Sequence, residues 1–421
     1  MPTLDNLLQL TGGKLDASVH NKRSLTDELR SRLDKRLLFD PMTTPVDVTG
    51  DHAFEAPGHK DQRGPCPGLN ALSNHKYIPH DGVTSLAEVI PAINEVYGMG
   101  LDLAAILAIM GVVWTGDPIT LNPSFSIGRN SSDVNNALDN LGGLLSQPQG
   151  LVGSHNFIES DSSLTRDDLY VTGNNYALNM TKFMKWYDMA DENGTYTMDI
   201  MGKRASDRFH ESIYENPSFY YGPFTGMLAR NAGYLFVGRI FANHSSAHPD
   251  GVLTKDIIKS FFAVSGEEGN FTYSEGSERI PDNWYKLPVD YGLVQLNLDT
   301  VDWILKYPAL GSIGGNTGTI NSFTGVELDN LTDGVLNIET LLKDNNLLCF
   351  VLQVVKMVSP TYLANIYKTL SGPLHMILDV LSTPLLDLSC PEWKDMTYNG
   401  KPLWDALGSQ FPGANKSGSA L

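Results

Sequence analysis

From residue 84 onward apolar residues return at helical spacing, and that periodicity limits this chain more than any other feature. SLAEVIPAINEVYGMG (85–100) and LDLAAILAIMGVVW (101–114) are rich in helix formers and apolar on at least one face. The same pattern predicts helices over 175–190, 203–215, 224–242 and 254–264, then at TVDWILKY (300–307). A last helical region runs from about 340 to 385 and is broken by Pro360 and by Gly372-Pro373. Period-2 alternation is rare, so the predicted class is mainly α. GSIGGNTG (311–318) is rich in glycine, but no strong helix follows it, and it reads as a loop.

A 421-residue chain can bury one large core or two domains. Its net charge of −18 argues against binding phosphate backbones, which requires a basic face, so no nucleic-acid partner is expected. No apolar run is long enough to span a bilayer. The most apolar stretch, Leu347 to Val358, carries Gln353 and Lys356 and reads as a buried helix. The first residues, MPTLDNLLQLTGG, lack a basic region followed by an apolar one, so no signal peptide is expected in the chain as written. No Gly-x-Ser-x-Gly, Walker loop or Cys-x-x-Cys occurs, which removes the main support for a hydrolase of that fold, an NTPase or a zinc module.

Residues 1–45 are largely polar. Within them SLTDELRSRLDKRLL places Leu25, Leu29, Leu33 and Leu37 on one helical face, with Ser24 at the N-cap. A Pro-, Gly- and His-rich stretch follows, DHAFEAPGHKDQRGPCPG (51–68), and it predicts irregular structure. Three cysteines are too few for a disulfide scaffold. Two readings stand for Cys349 and Cys390: separate buried thiols, or a bridge that leaves Cys66 for chemistry.

Cys66 lies between Pro65 and Pro67, just before a segment able to start a helix. Proline suits a first helical turn because its missing N–H is not needed there. The free N–H groups of Gly68 and Leu69 then point back to the sulfur. With the positive end of the helix dipole they are expected to stabilise a thiolate and lower its pKa. An iron-ligating cysteine has those needs: a deprotonated sulfur, fixed in direction, with donors limiting its charge. A proline-rich turn around a buried thiol is the plainer reading of the three residues alone.

Pro65-Cys66-Pro67-Gly68-Leu69-Asn70, with Asn74-His75, Tyr77 and Pro79 to Gly82, closely resembles the proximal motif of the fungal heme-thiolate peroxidases, the chloroperoxidases and unspecific peroxygenases. About ninety residues later HNFIESDSSLTRDDLYVTG (155–173) resembles the segment in which that family carries its Mg²⁺ ligands. The resemblance implies heme b with Cys66 as the axial iron ligand. It also implies Mg²⁺ near a heme propionate, bound by the Glu159 carboxylate, the Ser160 carbonyl and the Ser163 hydroxyl, with Asp161 in support; an oxygen-only set suits a hard cation. Ser160 stands where the family has Gly or His. The likeness continues through NPSFYYGP (216–223) and DGVLTKDIIKSFF (250–262). His75 and His80 read as surface or turn histidines bonded to backbone.

Cleaving a peroxide also requires a proton to move between its oxygens. In the family a distal Glu does this, helped by Arg or His. The corresponding stretch here, GPFTGMLARNAGYLFVGRIFA (222–242), holds no carboxylate, and its polar candidates are Arg230 and Asn231. A carboxylate from elsewhere, such as Glu211, is a further candidate, and Glu211 reads first as a helix-surface partner. Phe219, Tyr220, Tyr221, Phe224, Tyr234 and Phe236 read as core before they read as a channel.

The resemblance thus implies a single mainly α, chloroperoxidase-like domain at 48–300. An N-terminal extension (1–47) with one amphipathic helix precedes it, and a helical C-terminal region (301–421) packs on it. The function implied is a peroxidase or peroxygenase that uses a peroxide to oxidise small apolar organic molecules. Without the distal Glu, two alternatives stand beside it: a hydroperoxide isomerase or lyase acting on lipid hydroperoxides, and a heme-binding relative without peroxidase activity. Related fungal proteins are secreted. Seven Asn-x-Ser/Thr sequons, at Asn130, Asn179, Asn193, Asn243, Asn270, Asn330 and Asn415, agree with a secreted glycoprotein.

Overall fold

The computed structural model describes residues 41–118, 122–134, 148–326, 338–344, 346–354, 379, 390, 397–398 and 401–417. The predicted helix around Leu25 to Leu37 lies outside the described residues, as does most of 355–385.

Helix α1 (Pro67–Asn74) opens at Cys66, whose extended backbone (φ −91°, ψ 107°) makes it the N-cap, with Pro67 in the first turn. A two-stranded ribbon pairs β1 (Val83–Ser85) with β2 (Ser124–Ser126). Between them run α2 (Leu86–Tyr97) and α3 (Leu101–Thr115). The start of α2 is set by Glu88, whose carboxylate accepts from the Ser85 N–H at 2.8 Å, and its end by Gly98, left-handed at φ +70°. Helix α3 is apolar on nearly every side and is almost wholly buried, as such a helix must be.

Helix α4 (Met180–Tyr187) is capped by Asn179, which accepts from the N–H groups of Thr181 and Lys182. Helix α5 (Met198–Glu215) follows, with Thr197 as N-cap. A short strand β3 (Tyr220–Tyr221) leads to one π-helical turn (Thr225–Arg230) that continues directly into α6 (Asn231–Arg239). Helix α7 (Lys255–Phe261) and the hairpin β4 (Val264–Ser265) with β5 (Thr272–Tyr273) come next, then α8 (Leu293–Lys306). Near the C-terminus lie α9 (Leu403–Gln410) and α10 (Pro412–Ser417). The class is mainly α, with only short strands.

One difference from expectation concerns GSIGGNTG. Gly314–Gly315 form strand β6, the middle of a three-stranded sheet between β3 and β7 (Thr324–Gly325). A Cβ on Gly314 would stand 2.1 Å from the Thr324 carbonyl oxygen, so glycine is required by close strand approach and not by a loop. The described part of the Leu347–Val358 stretch, 347–354, is helical and buried, as predicted. Cys349 and Cys390 form a disulfide. Among the described residues no helix is long and apolar enough to cross a membrane.

Candidate active site

Cys66 is the one free cysteine, and side chains from distant parts of the chain fix its loop. The Asn70 side chain accepts from the Gly64 N–H and donates to the Gly64 carbonyl, both at 3.0 Å, closing the loop on itself. Tyr97 on α2 donates to the Gly68 carbonyl at 2.8 Å. Asn74 donates to the carbonyls of Gly276 and Glu278, and Arg63 donates twice to its side-chain oxygen. Gly64 leaves no choice of residue: a Cβ there would lie 2.0 Å from the Ile127 carbonyl oxygen.

The N–H groups of Leu69 and Gly68 hydrogen-bond the sulfur, as the helix start predicts. The expected lowering of the thiol pKa is not found. Burial pushes the Cys66 thiol up and outweighs both N–H groups and the pull of Arg166, while Glu278 adds to the rise. Arg166 and Glu278 form a buried pair at 3.4 Å beside the sulfur, and each keeps one polar atom, Nε and Oε2, without a partner.

Residues 155–168 form a second, more polar nest. The Glu159 carboxylate accepts from His155 Nδ1 and Asn175 Nδ2, each at 2.7 Å. Ser160 and Asp161 are buried. Asp161 Oδ2 accepts from Asn216 Nδ2 at 3.0 Å and the Tyr220 N–H at 3.4 Å, while Oδ1 has no hydrogen bond and lies 3.7 Å from His155 Nε2. Burial pushes the Asp161 carboxyl well above its ordinary value, and Asp168 adds to this. Burial alone would depress His155, but Glu159 and Asp161 outweigh it and hold the imidazole at about 9. Ser162 takes the left-handed region at φ +59° and turns the chain, which leaves the buried Ser163 Oγ without a partner. An orphaned hydroxyl on the same oxygen-rich loop as the Glu159 carboxylate fits a hard cation. Among the described residues, no three His, Cys, Asp or Glu side chains converge on a metal position. The donors would therefore include backbone and hydroxyl oxygens.

Arg230 and Asn231, the distal candidates of the sequence, are hydrogen-bonded into the protein's own frame. Arg230 Nε donates to the Ser162 carbonyl and Oγ at 3.1 Å, Nη1 to Asn231, and Nη2 to the Ala205 carbonyl and Tyr234. Asn231 accepts from Tyr221 and donates to the carbonyls of Met227 and Leu310. Both side chains are buried, and their hydrogen-bonding groups go to fixing residues 160–163 and the π-helical turn. Arg208 works alongside them, donating from Nε to the Ser163 carbonyl at 2.9 Å and from Nη2 to Asp168 at 3.2 Å. Sequence reasoning missed this supporting role, because three of the partners, Ala205, Ser162 and Leu310, lie 25 to 79 residues away. Glu211 pairs with Arg204, Arg208 and Lys185, as the helix-surface reading anticipates. His75 bonds backbone through the His52 carbonyl and the Ile280 N–H, but it is fully buried and not at the surface. His80 bonds the Ser73 carbonyl and Asp61.

A sequence profile described as Peroxidase, family 2 matches residues 52–289, which span both Cys66 and the 155–168 nest. The chain belongs to the family 2 peroxidases. Aromatic peroxidase fscJ of Fusarium equiseti is 54% identical over 399 residues, covering 94% of this chain and 91% of that protein. Dothistromin biosynthesis peroxidase dotB of Dothistroma septosporum is 41% identical, covering 84% of each. The aromatic peroxygenase of Cyclocybe aegerita is 30% identical, covering 63% of this chain and 64% of that protein. This family 2 peroxidase is thus an oxidoreductase that uses a peroxide to oxidise organic molecules, and the isomerase, lyase and inactive alternatives are not favoured. Family membership implies a heme cofactor.

Proposed function

We propose that this peroxidase binds heme b through the Cys66 thiolate, holds Mg²⁺ beside a heme propionate, and oxidises small apolar aromatic molecules. The observation that carries the reading is the sulfur itself: on a half-buried residue, unpaired with any cysteine, and met by two backbone N–H groups at a helix start. The high thiol pKa fits this reading. The Cys66 sulfur would hold the iron in place of the proton that burial favours, and the Gly68 and Leu69 N–H groups would share the charge left on it. Heme supplies the peroxide chemistry, while the chain supplies direction, polarity and a dry pocket.

The Glu159 carboxylate, the Ser160 carbonyl and the orphaned Ser163 hydroxyl are the proposed Mg²⁺ donors, with Asp161 in support. Arg230 and Asn231 serve as positioning residues that hold this segment by its Ser162 carbonyl and the turn behind it. The catalytic core is assigned to 48–300. An aromatic substrate is supported by the names of the relatives, two of which are an aromatic peroxidase and an aromatic peroxygenase. Secretion is supported by the Cys349–Cys390 disulfide, a bond that persists in oxidising compartments, and by exposed sequons.

The test is the absorption spectrum of the dithionite-reduced protein under carbon monoxide. A thiolate-ligated heme gives a band strongly red-shifted from that of a histidine-ligated one, and C66A should lose it. An unchanged band in C66A overturns the assignment. For the cation, E159Q and S163A should lower bound magnesium, measured by mass spectrometry after gel filtration, with the fold unchanged by circular dichroism. Full occupancy in both variants removes the Mg²⁺ site.

A further inference from the structure

Among the described residues four buried hydroxyls bond to nothing, and two of them, on Tyr220 and Thr225, flank one glycine. Tyr220 OH belongs to a residue 1% exposed, and Thr225 Oγ1 to one 5% exposed; neither oxygen has a hydrogen-bond partner. They face the same point. A Cβ on Gly222 would stand 2.9 Å from Thr225 Oγ1 and 3.0 Å from Tyr220 OH, so a side chain at 222 would cover both. Leaving a buried hydroxyl unpaired costs on the order of 1–3 kcal/mol, and native proteins rarely do so without a ligand, water or catalytic task. Two such groups side by side, at the mouth of a π-helical turn, mark a position where the protein forgoes stability.

The surroundings are aromatic and neutral. Phe224, next to Thr225, meets the Trp114 ring edge-on with centroids 5.7 Å apart, and the buried Trp114 Nε1 also lacks a partner. The nearby arginines are engaged elsewhere, Arg230 and Arg208 on the 162–168 loop, while Asp161 bonds the Tyr220 N–H and Asn216 through Oδ2 and leaves Oδ1 unpaired. Tyr220 is tied to the 155–168 nest, its N–H bonding Asp161 Oδ2 at 3.4 Å.

We infer that Tyr220 and Thr225 form an oxygen-recognition site for the aromatic substrate, binding a neutral phenol or ketone oxygen while Trp114 and Phe224 flank the ring. This rests on the reading above and deepens it by naming the substrate class as oxygen-bearing aromatics. Both groups are neutral and both donate, which suits a phenolic or carbonyl oxygen. An anionic carboxylate would require a cation, and none is presented there by Arg208 or Arg230. Burial pushes the Tyr220 phenol up, so it stays protonated and able to donate.

The test uses the heme-loaded protein after its reduced carbon monoxide spectrum has been recorded. Equilibrium dialysis then compares 1-naphthol, naphthalene and 1-naphthoate on wild type, Y220F and T225V. Losing one hydrogen bond should raise the Kd for 1-naphthol about 3- to 10-fold in each variant, with naphthalene unchanged. Equal weakening of naphthol and naphthalene, no change for naphthol, or naphthoate as the tightest ligand each overturns the inference. The melting temperature of each ligand-free variant should match or exceed that of wild type, since an unpaired hydroxyl stabilises nothing. A clear drop would mean that the hydroxyl has a structural partner, and the inference would fail there too. If the spectrum lacks the thiolate band, the heme reading has failed; if the band is present but the selectivity is not, the oxygen site has.

Discussion

Glu211 is the most informative single charge to remove. Its carboxylate reaches Arg204 at 3.0 Å, Arg208 at 2.8 Å and Lys185 at 3.1 Å, and the two arginines are buried. E211Q keeps the shape and an acceptor oxygen but deletes the charge. Burial would raise this carboxyl, yet the arginines and the lysine outweigh it and hold it at about 2, down from 4.5. A fall of that size corresponds to about 3 kcal/mol for a fully desolvated group. The side chain keeps 19% of its surface in water, so screening reduces the figure to about 2 kcal/mol. Because the folded value lies below the unfolded one, the whole contribution is present above pH 4.5 and drains away as pH falls toward 2. Urea unfolding of wild type and E211Q at pH 7, 4 and 3 measures it directly. The gap should be about 2 kcal/mol at pH 7 and shrink steadily at pH 4 and 3. A gap that is the same at every pH, or absent at pH 7, would refute the electrostatic account.

Two further outcomes follow from the same structure. The Cys349–Cys390 bridge spans 41 residues, a loop whose closure restricts the unfolded chain by about 3–4 kcal/mol, so the double serine variant should unfold at markedly lower urea; an unchanged midpoint contradicts this. Among the sequons, Asn130, Asn193 and Asn270 are exposed, whereas the Asn179 amide donates to Asp167 at 3.0 Å and its oxygen caps α4. Glycopeptide mass spectrometry of protein secreted from a eukaryotic host should find glycans at the first three and none at Asn179.

The parts of the molecule legible in the sequence are those whose physics is local. Helical spacing over 101–114 reports α3 because a helix buried on all sides must be apolar on all sides. Cys66 is legible because an N-cap, a proline and two free N–H groups all lie within four residues. Glu159 to Ser163 stands out only through the likeness of its segment to the family's, not through local physics. What escaped depends on partners far along the chain. Gly314–Gly315 becomes a strand only because Tyr220–Tyr221 and Thr324–Gly325 close on it. Arg230 reads in the sequence as a polar candidate, and its hold on Ser162 and Ala205 shows only when the fold brings them to it. His75 reads correctly as a backbone-bonded turn histidine, but its burial shows only when the Ile280 N–H is brought to its ring.

The absence of a carboxylate from 222–242 has a physical counterpart in this fold. Asp161 already sits unpaired at one oxygen beside Tyr220, with its carboxyl pushed well up by burial and by Asp168. Another carboxylate packed against that nest would meet the same two penalties, desolvation and like charge, and would itself be driven to the neutral form. A neutral hydroxyl escapes both. Tyr220 and Thr225 can therefore donate a hydrogen bond at every pH where the fold survives, which a half-titrated acid could not. The polarity of this pocket should accordingly be set by orientation and not by ionisation: binding of 1-naphthol should stay flat between pH 5 and 8, and a carboxylate-like limb in that profile would show that an acid from elsewhere reaches the site.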